Sequence, residues 1–312
     1  MRAERAAASD LADVTSPPDP AAVEPPRAPL AEPIAESDPE QLAAALLPAD
    51  AEAESGWDAA APAVLVTDLQ KSFAGEPAVA GITLSIPRGS FFGLVGPNGA
   101  GKTTTLSMIA GLVRPDAGSI RILGVDVRAR EREAKRLIGV LPDRFRTFDR
   151  LTGRQLLHYA GVLRELPADV VGSRADDLAR AFDIEEALGR TVADYSAGMV
   201  KKIMLACALI HAPRVLVLDE PFEAVDPASS AAILDILSAY VRHGGTVILS
   251  SHGMQTVERV CDRVAVIADG RVVADGTVAE VCAGRTLEER FIELVGGRPD
   301  AGGLEWLHGS SD

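Results

Sequence analysis

A chain of 312 residues in which 47% of side chains are hydrophobic and 24% charged can bury a substantial core, in one large domain or two ordinary ones. Its net charge of −14 and pI near 4.9 argue against a general nucleic-acid binder, which needs a basic footprint. Cys207, Cys261 and Cys282 are odd in number and lack metal or redox spacing, which points to a reducing compartment and unpaired thiols.

Residues 1–62 are dominated by Ala, Pro, Glu and Asp; the first sixty hold thirteen acidic and three basic side chains, so −10 of the charge is local. Pro17-Pro18 and Pro25-Pro26 interrupt helix, and so polar a stretch buries too little to offset its ordering entropy. A disordered acidic tail is expected, with Gln41–Leu47 as its one candidate helix. Arg2 and Arg5 are followed by no apolar core region, which argues against a secretory signal. The longest strongly apolar run, Ile203–Ile210, is far below the ~20 residues that cross a bilayer. The expectation is a cytoplasmic chain without a span of its own.

From Ala63 the composition changes to short β-rich runs closed by turns: Val64-Leu65-Val66, Val79–Ile86, Phe91–Val95, Ser119–Leu123 and Leu137–Leu141. A helix is expected over Thr103–Ala110. Between Leu151 and Asp194 the pattern turns helical, with Leu156, Ala160 and Leu163 on one face and Leu178 and Phe182 on another after Pro167. Val215–Leu218 reads as a central parallel strand, apolar on both faces. Helix Ala231–Val241, strand Thr246–Leu249 and helix Met254–Val260 follow. Val264–Ile267 and Arg271–Ala274 form a hairpin through Asp269-Gly270, and Leu287–Val295 is the last helix, before a C-terminal stretch 297–312 expected to be frayed.

Two stretches carry chemistry. Gly96-Pro97-Asn98-Gly99-Ala100-Gly101-Lys102-Thr103-Thr104 lies at a strand-to-helix turn, the context a phosphate-binding loop requires. Its glycines leave backbone amides uncovered, and the helix start adds partial positive charge. Lys102 is the residue for the β- and γ-phosphates, and the Thr103 hydroxyl a magnesium ligand. In the second stretch, Val215–Leu218 delivers Asp219 and Glu220 at a strand's carboxyl end, where open parallel sheets bind ligands. Asp219 is assigned to magnesium and Glu220 to the attacking water as general base.

With Tyr195-Ser196-Ala197-Gly198-Met199, these stretches resemble the ATP-binding cassette family, the nucleotide-binding subunits of ABC transporters, over residues 63–296. The resemblance implies an α/β P-loop NTPase fold: a mixed core sheet around the nucleotide helix, a β-rich subdomain and a helical insert at about 151–211. It implies an ATPase using ATP and Mg2+, whose two domains close head to tail, so that Ser196 and Gly198 of one chain meet the γ-phosphate held by the other. Tyr195, Ala197 and Met199 depart from the family's LSGGQ form. By the same resemblance His252 is the switch histidine contacting the γ-phosphate, Asp226 belongs to the loop that crosses the dimer interface, and Phe73 stacks on adenine. Asp143 stands where the family senses magnesium with a glutamine. The segments around Phe91, Pro142 and Thr286 look more like the branch exporting drugs, polysaccharides and lipids. The implied partner is a separate multi-span permease holding the protein on the inner face of the cell membrane, with a second ATPase domain, identical or not. An importer ATPase and a soluble switch acting on ribosomes or nucleic acid are the alternatives.

Overall fold

A computed structural model describes residues 38–47, 61–143 and 150–295. Its strands in chain order are β1 (Val64–Phe73), β2 (Glu76–Ile86), β3 (Phe91–Val95), β4 (Ala117–Ile122), β5 (Val125–Asp126), β6 (Ile138–Leu141), β7 (Val215–Asp219), β8 (Thr246–Ser250), β9 (Arg263–Ala268) and β10 (Arg271–Thr277). Its helices are α1 (Pro39–Leu46), α2 (Lys102–Ile109), α3 (Glu131–Leu137), α4 (Gly153–Val162), α5 (Ala168–Ala181), α6 (Ala197–Leu209), α7 (Pro227–Arg242), α8 (Met254–Val260), α9 (Val278–Cys282) and α10 (Leu287–Val295).

The four strands β2-β1-β4-β5 form an antiparallel sheet, and the six in the order β10-β9-β3-β8-β7-β6 form the core sheet. Strands β9, β3, β8, β7 and β6 run parallel; β10 returns antiparallel through Asp269 and Gly270, both at positive φ as a tight hairpin turn demands. The core strands are apolar on both faces because both are covered. On one side, Phe92, Leu94, Val217 and Ile248 share a core with Leu106, Met108 and Ile109 of α2 and with Val66, Leu84 and Ile120 of the antiparallel sheet. On the other, Phe91, Leu216, Leu218 and Leu249 join α6, α7 and the helical region that begins with α4 and α5. Helix α2 is thus held between the sheets, and the loop that starts it is fixed from both sides.

The expected strand Leu137–Leu141 is shorter by one residue, because α3 runs to Leu137 before β6 begins. Of the expected insert, α4 starts with a capping box between Thr152 and Gln155, and two single 3-10 turns, Glu185–Ala187 and Val192–Asp194, lead to α6.

Part of the expected tail is folded. Asp38 caps α1 by accepting the Glu40 amide at 2.9 Å, and Pro39 occupies the first helical position, where its missing N–H costs nothing. Leu42, Ala43, Leu46 and Leu47 then fall on one buried face, packed on α7 and α5. Arg242 at the end of α7 pairs with Glu40, fixing the helix in place. Composition read the region as too polar to fold alone. The apolar stripe of α1 is stable because the groove between two later helices receives it. The rest of the expected tails, 1–37, 48–60 and 297–312, lies outside the described residues.

Candidate functional site

The phosphate loop follows β3 and leads into α2. Gly101 is the residue before the helix and has φ +101°, and a Cβ there would lie 2.4 Å from the Ala78 carbonyl oxygen. At Gly96 a Cβ would lie 2.3 Å from the Ile267 carbonyl oxygen. Both positions need glycine for room, and Gly101 for its left-handed backbone as well. Lys102 is buried, and its ammonium donates to the carbonyls of Gly96 (2.7 Å) and Pro97 (3.1 Å). Burial lowers its pKa from the usual lysine value, opposed by the charges of Glu220 and then Asp219.

Asp219 ends β7, buried, and accepts a hydrogen bond from the Ser250 hydroxyl at the end of the neighbouring β8. That hydroxyl also accepts the Glu220 amide at 3.0 Å, so one serine ties both acidic residues to the next strand. Glu220 turns the chain away from the sheet with φ +49°, a left-handed conformation uncommon for a side chain of this size. Its Oε1 lies 2.9 Å from Nδ1 of His252, which is exposed on the loop after β8.

The structure brings most of these groups to one open cleft of about 380 Å³, lined by Asn98, Gly99, Ala100, Gly101, Lys102, Thr103, Thr104, Asp143, Glu220 and His252, with Ala78 and Glu223 beside them; Asp219 lies behind Glu220 at the strand end and does not line it. Backbone amides, one ammonium and a carboxylate bonded to an imidazole are thereby aimed at a common space. That set can bind a polyphosphate and orient a water at its end.

Residues 79–223 match the family described as ABC transporter. The daunorubicin resistance ATP-binding protein DrrA3 of Streptomyces coeruleorubidus is 40% identical over 222 residues, covering 71% of this chain and 70% of that one. The chain belongs to the ATP-binding cassette family. Other ABC relatives are the linearmycin resistance ATP-binding protein LnrL of Bacillus subtilis, 35% identical over 69% of this chain and 70% of that one. The Nod factor export ATP-binding protein I of Rhizobium meliloti is 35% identical over 76% of this chain and 70% of that one. Among solved structures, an ATP-binding subunit of an ABC transporter superposes with a TM-score of 0.69 at 31% identity, covering 74% of this chain and 98% of that one. A dimeric ATP-binding cassette bound to ADP and Pi shares the fold at 21% identity, with a TM-score of 0.64 over 69% of this chain and 98% of that one. The chain is an ABC ATPase of the exporter type, and its fold is the P-loop ATPase fold that the sequence implied.

The remaining ABC positions lie outside the cleft. Ser196 caps α6, its oxygen accepting the Met199 amide at 3.2 Å, which leaves the hydroxyl proton free to be donated. Gly198, two residues along, faces α7: a Cβ there would lie 3.0 Å from both Asp226 Oδ2 and Ser229 Oγ. Asp226 caps α7 by accepting the Ser229 amide at 2.9 Å, and this bond holds its carboxyl below the usual aspartate range. Ser196, Gly198 and Asp226 therefore gather around the starts of α6 and α7, apart from the phosphate loop of their own chain. Phe73 ends β1, half exposed, with the Lys71 ammonium 5.4 Å from its ring centre. It does not line the cleft.

One departure at the ABC signature, Tyr195, has a local cause. Tyr195 is buried and donates its hydroxyl to the Ala187 carbonyl at 2.7 Å, while Gly153 at the start of α4 makes room for that ring. A leucine would fill the site without the bond. Two contributors to the site carry no signal in the sequence. Ser250 adjoins His252 in the chain, but its bridge to Asp219 and Glu220 exists only through strand pairing. Glu223 reaches the cleft because the chain turns at Glu220.

Proposed function

We propose that two copies of this ABC ATPase, or one copy and a related chain, close head to tail on two ATP molecules and thereby drive export through a separate membrane-spanning subunit. The observation that carries this reading is the division of the anion-binding groups. Lys102, Thr103, Glu220 and His252 share one cleft, whereas Ser196 and Gly198, with a helix start and a free hydroxyl proton, face elsewhere. A second chain would complete each site.

In this reading Gly96 to Thr104 cradles the phosphates and Lys102 moves its ammonium from the loop carbonyls to the β- and γ-oxygens. Glu220 accepts a proton from the attacking water. With its Nδ1 on Glu220, His252 keeps Nε2 for contact with the γ-phosphate. Phe73 stacks on the base. Thr103, Asp219 and Asp143 are oxygen donors suited to magnesium, and the described residues hold no cluster of three or more ligating side chains that would bind a metal unaided. So sparse a donor set fits an ion that keeps waters and phosphate oxygens among its ligands. Bound there, magnesium supplies charge neutralisation on the β- and γ-phosphates.

Among the described residues no helix is long and apolar enough to cross a membrane, and this reading assigns the membrane path to another polypeptide. A tagged Glu220→Gln protein, recovered in mild detergent from its native membranes with ATP and magnesium, is expected to bring a multi-span partner in near-equal amount. Recovery only with ribosomes, nucleic acid or soluble proteins would contradict the transport assignment.

A further inference from the structure

We infer that Lys201 is a positioning residue that sets the aim of the Glu220 carboxylate and ties it to the helix bearing Ser196 and Gly198. The inference rests on the assignment of Glu220 as general base. Glu220 holds a left-handed backbone with φ +49°, a conformation that persists only where its surroundings enforce it. Its amide is fixed by Ser250 Oγ at 3.0 Å. Its carbonyl receives a turn bond from the Glu223 amide at 3.3 Å and the Lys201 ammonium at 2.7 Å. Of the two, the ammonium makes the shorter, charge-assisted bond, and it comes from a different element, α6.

The position is unusual for a lysine. Its ammonium is half buried, and desolvation lowers its pKa, opposed by the charges of Asp143, Glu223, Glu220 and Asp219. A cation that has given up much of its water is retained here beside four carboxylates and the backbone of one of them. It serves two ends at once: it offsets the mutual repulsion of the acidic groups and pins the peptide that aims Glu220. Lys201 also lies on the same helix as the Ser196 cap, less than two turns away. The Lys201 side chain therefore links that helix end to the Glu220 turn without passing through the phosphate loop.

The test is steady-state ATP turnover of the full chain with Lys201→Met, which removes the ammonium at similar length. The expected result is a fall in kcat of about 10- to 100-fold with KM for ATP changed by less than about twofold. Lys201→Arg, which keeps a charged donor, is expected to restore most of the loss. In a Glu220→Gln background, Lys201→Met should leave the residual single-turnover rate unchanged within about twofold, because a residue acting through Glu220 has nothing left to act on. Should the methionine variant fail to fold, Lys201→Gln, one atom shorter and uncharged, is expected to show the same loss of kcat. A parental kcat in a folded Lys201→Met or Lys201→Gln protein, or a full additional loss in the Glu220→Gln background, would overturn the inference. A Glu220→Gln protein with parental turnover would instead overturn the assignment of the base on which it rests.

Discussion

Replacing Glu220 by glutamine lowers steady-state ATP turnover by about 10²–10⁴-fold and leaves ATP binding intact. The amide keeps the size of the side chain and can still bond to His252, and the backbone bonds to Ser250 and Lys201 do not involve the side chain. What is lost is the carboxylate proposed to take a proton from water. Turnover by phosphate release and affinity by a fluorescent ATP analogue separate the two effects. A variant that binds ATP and hydrolyses it at the parental rate would remove Glu220 from the chemistry. One that loses binding as well would give Glu220 a structural role instead.

Lys102→Met is expected to weaken ATP binding by about 100-fold while the thermal midpoint of the ligand-free protein holds or rises. The two effects have opposite signs because of where the ammonium sits. It is buried against two carbonyls, and its desolvation opposes the charged form. A methionine fills the same space without that cost, which offsets the loss of the donor to the two carbonyls. The phosphates, in contrast, lose the one ammonium that lines the cleft among the described residues. Calorimetry on the ligand-free protein and ATP titration test the pair together. A large drop in thermal midpoint would mean that the bonds to Gly96 and Pro97 hold the loop together.

The elements legible in the sequence are those whose information is local. Phe91–Val95, the glycine loop and α2 announce themselves through an apolar run, three glycines and a helical pattern in succession. The same holds for Val215–Leu218 with its two terminal carboxylates. The hairpin at Asp269-Gly270 is also local, since the turn requires two residues at positive φ. What could not be read depends on tertiary contacts: a helix is expected at Gln41–Leu47, but its burial is not. Helix α1 carries a good cap and an apolar stripe, but eight residues among alanines, prolines and acids are marginal alone. Only the α5 and α7 surfaces make its burial possible. Strand β5 and helices α3 and α9 are too short for periodicity to reveal.

The site divides in the same way. Lys102, Thr103, Asp219 and Glu220 follow from motif and context, and the cleft gathers Asp143 and His252 beside Glu220. Ser250 and Lys201 are ordinary polar residues in their own segments. They gain their positions from strand register and from the approach of α6 to the end of β7, neither of which leaves a trace in spacing. Tyr195 shows the reverse case: it weakens a motif as written, yet packing explains it through the bond to Ala187.

The central claim, that each nucleotide site is completed by a second chain, is tested most directly by the mass of the Glu220→Gln protein in sedimentation with ATP and magnesium. The account predicts a species of twice the 32.7 kDa chain, present with ATP and absent without it. It further predicts that adding Ser196→Asp abolishes this species while each chain still binds ATP. Aspartate caps a helix as well as serine does, so α6 is preserved, but in the proposed dimer its charge would face the γ-phosphate of the opposite chain. A Glu220→Gln protein that stays monomeric with ATP, or one that dimerises equally well with Ser196→Asp, would contradict the account.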